Sequence, residues 1–246
     1  MTSGGEIGGR ILAAMAWAGG SIGRRGLLTT VRVVGSTIAD AGFDRRYGTE
    51  TGGVVDSDQF ESTLANRAHA VRYRATRARP FGALLRRLRL PAGSTFVDVG
   101  SGKGRVLMLA SLHPFTRVVG IEFSPAFCEQ ARRNIAIFQR RIQTKAPIDV
   151  CQGDVADHAF TGDENVFYLF NPFDAVILGR LVENLRRSLA SHPRRIWLIY
   201  NTPLHADVVE RSGLFALGET MTVGGIECRV YTHARPERDM AWTVLC

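Results

Sequence analysis

From about residue 76 onward, apolar positions follow two alternating patterns. Phe81, Leu84, Leu85 and Leu88 keep the i, i+3, i+4, i+7 spacing of one helical face, with Arg86, Arg87 and Arg89 mainly off it. Pro91-Ala-Gly93 ends that helix, and Thr95–Val99 reads as a short buried strand running into a glycine-rich turn. The alternation then repeats. A helix over Val106–Leu112 precedes a strand over Arg117–Glu122. Ser124, an N-cap with Pro125 at the first helical position, starts a helix reaching about Arg141. Strands over Ile148–Cys151 and Asn165–Phe170 follow, then a helix over 174–190, a strand over Arg195–Tyr200 and a short helix near 204–211. Two terminal strands, 214–220 and 226–232, are joined at Gly224-Gly225. Continuous apolar strands separated by amphipathic helices imply an α/β architecture, a mostly parallel sheet covered on both faces. Ligands of such sheets sit at the carboxyl ends of the strands.

Residues 1–60 are rich in Gly, Ser, Thr and Asp and only weakly periodic, with short helices expected over 10–18 and 26–40 and a loop over Tyr47–Gly53. The expected organisation is a partly helical, basic extension over 1–72 and one domain over 73–246. Ile11–Trp17 is short, broken by Gly19-Gly20 and followed by Arg24-Arg25, so a cytoplasmic chain is expected, with a peripheral membrane contact through the N-terminus left open. Apolar residues at 45% and charged residues at 22% exclude collagen, coiled coil and wholesale disorder. The net charge of +8 is uneven: residues 1–95 carry 14 basic and 7 acidic side chains, the rest 17 and 16. Cys128, Cys151, Cys228 and Cys246 lack CxxC or zinc-ligand spacing, so reduced thiols and no metal are expected.

The first strand ends Asp98-Val-Gly100-Ser101-Gly102-Lys103-Gly104-Arg105. Glycines at alternate positions permit a tight turn and close approach of a ligand to backbone, and the helix that follows offers unpaired N–H groups. A P-loop needs GxxxxGK before Ser or Thr, which fails here. A dinucleotide loop needs GxGxxG, and the third glycine comes one residue early. An S-adenosylmethionine (SAM) loop has an acidic residue just before the glycines, and Asp98 fills that place.

Over roughly residues 73–232 the sequence resembles the class I SAM-dependent methyltransferases. That resemblance implies a Rossmann-like, seven-stranded, mostly parallel sheet with an antiparallel terminal hairpin. It implies that Asp98, Gly100, Ser101, Gly102, Lys103 and Gly104 form the cofactor loop, Asp98 holding the methionine amino group directly or through water. Glu122, at the end of the second strand, would bind the ribose diol. Asp154, with Val155 beside it, would meet the adenine amino group, and Phe123 would pack on the ring. Asn171-Pro172-Phe173 is similar to the Asn/Asp-Pro-Pro-Tyr/Phe motif of amino-group methyltransferases but lacks its second proline. Asn171 and backbone oxygens would accept hydrogen bonds from an amine, and Phe173 would pack beside the methyl group. Tyr73 and Thr76 match a Tyr and Ser/Thr placed over the methionine end in some protein-lysine methyltransferases, with Ala75 where those relatives usually have proline. Tyr200-Asn201-Thr202-Pro203, ending the fifth strand in a similar way, would line the substrate cleft.

The implied activity is methyl transfer from SAM, nitrogen favoured, with a protein lysine as first choice of acceptor and a small molecule or RNA as competitors. A non-catalytic SAM-binding module is one rival, and a nucleic-acid-binding protein dominated by its basic N-terminal part is a second. His113 and His158 fall in loops or at helix ends, where neither is expected to act as a general base. Arg67, Arg72, Arg74, Arg77, Arg79, Arg86, Arg87 and Arg89 form a stripe without an acidic residue, a solvated face or a surface for an anionic partner.

Overall fold

The computed structural model describes residues 42–56 and 68–233. The expected helices over 10–18 and 26–40, the N-terminal membrane contact, Arg67 and Cys246 lie outside the described residues. After a helical segment over 42–47, the elements in chain order are β1 (Val54–Val55), β2 (Tyr73–Arg74), α1 (Ala78–Leu88), β3 (Thr95–Val99), α2 (Arg105–Ala110), β4 (Arg117–Glu122), α3 (Pro125–Gln139), β5 (Ile148–Gln152), β6 (Glu164–Leu169), α4 (Ala175–Ser191), β7 (Ile196–Asn201), α5 (Ala206–Arg211), β8 (Ala216–Val223) and β9 (Ile226–His233).

The main sheet has seven strands in the order β5-β4-β3-β6-β7-β9-β8. The five strands β3 to β7 run parallel, and β9 pairs antiparallel with β7 and with β8. The α/β sheet with its antiparallel terminal hairpin is therefore present as expected. The two inner strands β3 and β6 are buried almost throughout because helices cover both faces. Alternation along β3 splits the core. Phe96 joins Phe81, Leu84, Leu107 and Phe138 on one face, while Val97 and Val99 join Leu178, Leu181 and Leu185 of α4 on the other.

Local chemistry sets the helix starts. Ser124 Oγ accepts from the Phe127 N–H at the head of α3, with Pro125 at its first position. Asp174 accepts from Val176 and Ile177 at the head of α4. The strand order reverses between β3, which leads out to β4, and β6, so the carboxyl ends of these strands open into the crevice where such sheets bind ligands.

Two strands were not expected. β1 and β2 pair antiparallel, Val54 opposite Arg74 and Val55 opposite Tyr73. Two-residue strands carry no readable period, and Tyr73-Arg-Ala-Thr76 had read only as the lead into a helix. Residues 69–71 run alongside the end of β6: Ala70 bridges Phe173, the Val71 N–H donates to the Pro172 carbonyl at 3.0 Å, and the Asp174 N–H donates to the His69 carbonyl at 3.1 Å. Residues 51–56 and 69–76 thus lie as a strap across the carboxyl edge of the sheet. No helix among the described residues is long and apolar enough to cross a membrane. Cys128, Cys151 and Cys228 are free thiols.

Candidate active site

Beneath the strap is a cavity of about 620 Å³, within the range of small-molecule and cofactor sites. Asp98, Gly100, Ser101, Glu122, Phe123, Asp154, Val155, Asn171, Pro172, Phe173, Tyr73 and Thr76, all singled out from sequence, line it. Gly102, Lys103 and Gly104 do not. The two glycines shape the loop from behind, and Lys103 points away, its Nζ donating to the Gly52 carbonyl at 3.1 Å and lying 5.2 Å from the centroid of the Tyr73 ring. His113 and His158 lie outside the lining.

The loop is built around positive φ angles at Gly100, Gly102 and Gly104. A Cβ on Gly102 would fall 2.3 Å from Tyr73 Cε2. The glycine therefore lets the loop run under the Tyr73 ring, whose hydroxyl donates to the Thr51 carbonyl at 2.7 Å. Gly102→Ala combines that clash with a left-handed backbone costing about 1–3 kcal/mol. It is expected to weaken SAM binding at least tenfold in a calorimetric titration. Affinity within twofold of wild type would remove the Tyr73–Gly102 contact from the site.

Glu122 is buried at the end of β4. Its two carboxylate oxygens accept from the Gly102 N–H at 2.8 Å and the Ser124 N–H at 2.9 Å. Each oxygen keeps a lone pair for a further donor. Burial pushes this carboxyl up to about 7, against the opposing pull of the Ser124, Gly102 and Phe123 backbone groups. Asp98 is pushed well above the carboxylate range, first by burial and then by the neighbouring Glu122 charge. Its side chain makes no hydrogen bond among the described residues, and it lines the cavity. Ser101 Oγ is buried without a partner. An unpartnered buried carboxyl, an orphaned hydroxyl and a glycine cradle suit a ligand bringing a cationic amine and hydroxyl donors, which SAM carries. Asp154 Oδ1 accepts from the Ala156 N–H at 2.8 Å, fixing its position at the cavity wall.

Toward the other end, Asn171 takes φ 44° and Thr202 φ 55°. These non-glycine residues in left-handed backbone end β6 and β7 against the cavity, where strain tends to concentrate at functional sites. Tyr200 Oη donates to Asn171 Oδ1 at 3.0 Å, and Asn201 Nδ2 donates to Tyr168 Oη at 2.9 Å. Of the expected cleft residues Tyr200–Pro203, Thr202 lines the cavity, whereas Tyr200, Asn201 and Pro203 do not, because the side chains of Tyr200 and Asn201 are spent on Asn171 and Tyr168.

Sequence reasoning missed Arg105. Its side chain is buried, with Nε donating to Thr51 Oγ1 at 2.7 Å, Nη1 to the Thr76 carbonyl at 3.4 Å and Nη2 to Asp44 Oδ2 at 3.3 Å. Asp44 also accepts from Thr49 Oγ1, from Thr51 through both N–H and Oγ1, and from the Gly52 N–H. Although burial raises the Asp44 carboxyl, the Thr51 and Thr49 hydrogen bonds and then Arg105 hold it below its usual value. Asn134 ties the same strap to the loop, accepting from the Glu50 N–H and donating to the Lys103 carbonyl. The one sequence signal was the arginine after the glycines, hidden among many exposed arginines. No group of three or more His, Cys, Asp or Glu residues suited to a metal occurs among the described residues.

A family model described as "Histone methylation protein DOT1" matches residues 72–182. Trans-aconitate 2-methyltransferase of Enterobacter sp. (strain 638) is 40% identical over 63 residues, so the chain matches a quarter of that protein's length and a quarter of its own. Among solved structures, a SAM-dependent methyltransferase from Aquifex aeolicus superposes with a TM-score of 0.50 at 14% identity, covering 63% of this chain and 89% of that one. The pyocyanin biosynthetic protein PhzM gives 0.51 at 18% identity, covering 63% and 54%. The family-model match spans the glycine loop, Glu122 and Asn171–Phe173, and the seven-stranded sheet is that of SAM-dependent methyltransferases of known structure: the chain has the class I methyltransferase fold.

Proposed function

We propose that this chain transfers the methyl group of SAM to a nucleophile held at Asn171-Pro172-Phe173, with nitrogen as the accepting atom. The observation that carries this reading is that one cavity joins Asp98, Glu122 and Asp154 to Asn171, Pro172 and Phe173. SAM, when bound, supplies a methyl group on a sulfonium centre. The chain supplies position and desolvation, the main sources of acceleration for an in-line displacement. Asp98 takes the amino group, Glu122 the ribose hydroxyls and Asp154 the adenine edge, while Thr76 and Tyr73 close the methionine side.

At the acceptor end, Asn171 Oδ1 and the Pro172 carbonyl each already accept one internal hydrogen bond, from Tyr200 Oη and from the Val71 N–H. Each retains one lone pair, so two acceptors remain for the N–H groups of a neutral amine. Neutrality matters: for an amine of pKa about 10.4, deprotonation at pH 7 costs about 4–5 kcal/mol. A site that accepts two hydrogen bonds orients the neutral form. The DOT1 match favours a protein lysine as acceptor, while the trans-aconitate enzyme is a relative that acts on a small molecule.

The test is transfer of label from methyl-labelled SAM into a lysate, with S-adenosylhomocysteine measured as co-product. Asn171→Ala is expected to lower kcat at least tenfold and leave the Kd for SAM within threefold. Binding of SAM without label transfer to any fraction would sink the catalytic reading and leave a SAM-binding module.

A further inference from the structure

The carboxyl groups lining the cavity are sorted by location, and the one cation on their side, Arg105, is held by Asp44. The three carboxyl groups, Asp98, Glu122 and Asp154, stand at or just beyond the carboxyl ends of β3, β4 and β5, the cofactor half. The acceptor half, formed by the ends of β6 and β7 and by the strap, has no acidic side chain among the described lining residues. It has Arg72 and Arg74 instead. Arg72 is paired with Asp56 at 2.6 Å. Arg74 has no acidic partner among the described residues. Its guanidinium lies over the ring of Phe170, 5.1 Å from the centroid, and Phe170 is the residue immediately before Asn171. A guanidinium held over an aromatic face keeps N–H donors available for an oxyanion.

The same rim is apolar. Val71 is 37% exposed and Leu204 68% exposed, and both line the cavity mouth. Exposed apolar side chains rimming a cavity beside a fixed cation fit a ligand that has an apolar body and an anionic end.

Resting on the methyl-transfer reading above, we propose that the acceptor presents a carboxylate to Arg74 and an apolar portion to Val71 and Leu204. Two sources bring that chemistry: a small amino-bearing carboxylate, or a protein lysine flanked by Asp or Glu. A lysine in a basic or neutral context brings only its own positive charge toward the Arg74 guanidinium and is disfavoured.

The full chain is incubated with methyl-labelled SAM and a lysate split by ultrafiltration into small-molecule and protein pools. Each pool is divided into material that carries the carboxylate (retained: small molecules held by an anion exchanger at about pH 11, where amines are neutral, and proteins whose labelled lysines lie beside Asp or Glu) and material that does not (unretained). Label is expected in retained material, and the pool that carries it names the source. Arg74→Glu is expected to lower kcat/KM on that material at least tenfold, mainly through KM, with the Kd for SAM within twofold of wild type. Arg74→Lys, which keeps the charge but loses the fork, is expected to recover part of the loss. Acceptor activity in unretained material, or an unchanged kcat/KM in Arg74→Glu, would overturn the proposal. So would a loss of SAM affinity in Arg74→Glu, which would assign the guanidinium to the cofactor. Label in no pool despite bound SAM would overturn the methyl-transfer reading itself, and this inference with it.

Discussion

Glu122→Ala is expected to raise the dissociation constant for SAM about a hundredfold. The carboxylate has two lone pairs left after serving Gly102 and Ser124. In the proposed binding mode a ribose diol would fill both with charge-assisted hydrogen bonds of about 1.5 kcal/mol each, and ~3 kcal/mol is two decades in Kd. The substitution also strands two backbone donors, so the loop loses the group that holds Gly102 in place. Calorimetric titration reads the effect, and a change below threefold would take Glu122 out of the cofactor site.

The same residue sets a pH dependence. Burial raises the Glu122 carboxyl from 4.5 to about 7. Between those values the folded chain keeps a proton that the unfolded chain has released. Stability therefore falls as pH rises, by about 1.4 kcal/mol per unit at most, about 3 kcal/mol over the window. The contribution is fully present below pH 4.5 and lost as pH rises through about 7. Asp98, raised in the same direction, adds to the slope. Urea unfolding of the cofactor-free protein at pH 5 and pH 8 is expected to show the loss, and Glu122→Gln to flatten it. SAM binding runs the opposite way. Ribose hydroxyls donate to the ionised carboxylate, so affinity rises with pH across 7 and binding releases a proton, visible as a buffer-dependent enthalpy. Equal slopes in wild type and Glu122→Gln would refute the assignment.

The sheet was legible because its signals are long and local. Thr95–Val99 and Asn165–Phe170 are runs of apolar residues that only a strand covered on both faces accommodates, and Ser124-Pro125 marks a helix start without reference to anything distant. The carboxyl-lined half of the cavity was legible for a related reason. Its groups sit at strand ends, so finding the strands located Asp98, Glu122 and Asp154. What escaped depends on contacts between residues far apart in the chain. Lys103 reads as a loop cation next to a cofactor, yet it turns toward Gly52, fifty-one positions earlier, because the strap offers a carbonyl there. The β1–β2 pair and the bridge from Ala70 to Phe173 leave no periodic trace over so few residues. Arg105 looked like one more arginine in an arginine-rich chain, since only the fold shows that it is buried.

Arg105→Ala is expected to destabilise the protein by about 3 kcal/mol, the low end of the cost of removing one partner from a buried ion pair, since Arg105 is buried and Asp44 only partly so. For a chain of this size that lowers Tm by about 6–12 °C. Asp44 collects hydrogen bonds from Thr49, Thr51, Gly52 and Arg105, and Arg105 in turn reaches Thr51 and the Thr76 carbonyl. Through these bonds residues 44–52 are fixed against the helix that starts at the glycine loop, and Tyr73 is fixed through the Thr51 carbonyl. Loosening the pair therefore releases the ring that packs over Gly102, so SAM affinity falls at temperatures far below unfolding. Arg105→Lys keeps the charge but cannot serve three acceptors with one fork, and it is expected to recover stability more fully than affinity. Asp44→Asn is expected to act like Arg105→Ala, and the double variant to cost less than the two single changes together, because both break one interaction. Affinity for SAM and hydrogen exchange of the 44–52 amides, measured on the same four proteins, separate the two roles. If Tm falls while affinity stays within twofold of wild type, the network supports the fold alone. A joint loss of affinity and of amide protection makes the segment before β1 a wall of the cofactor site.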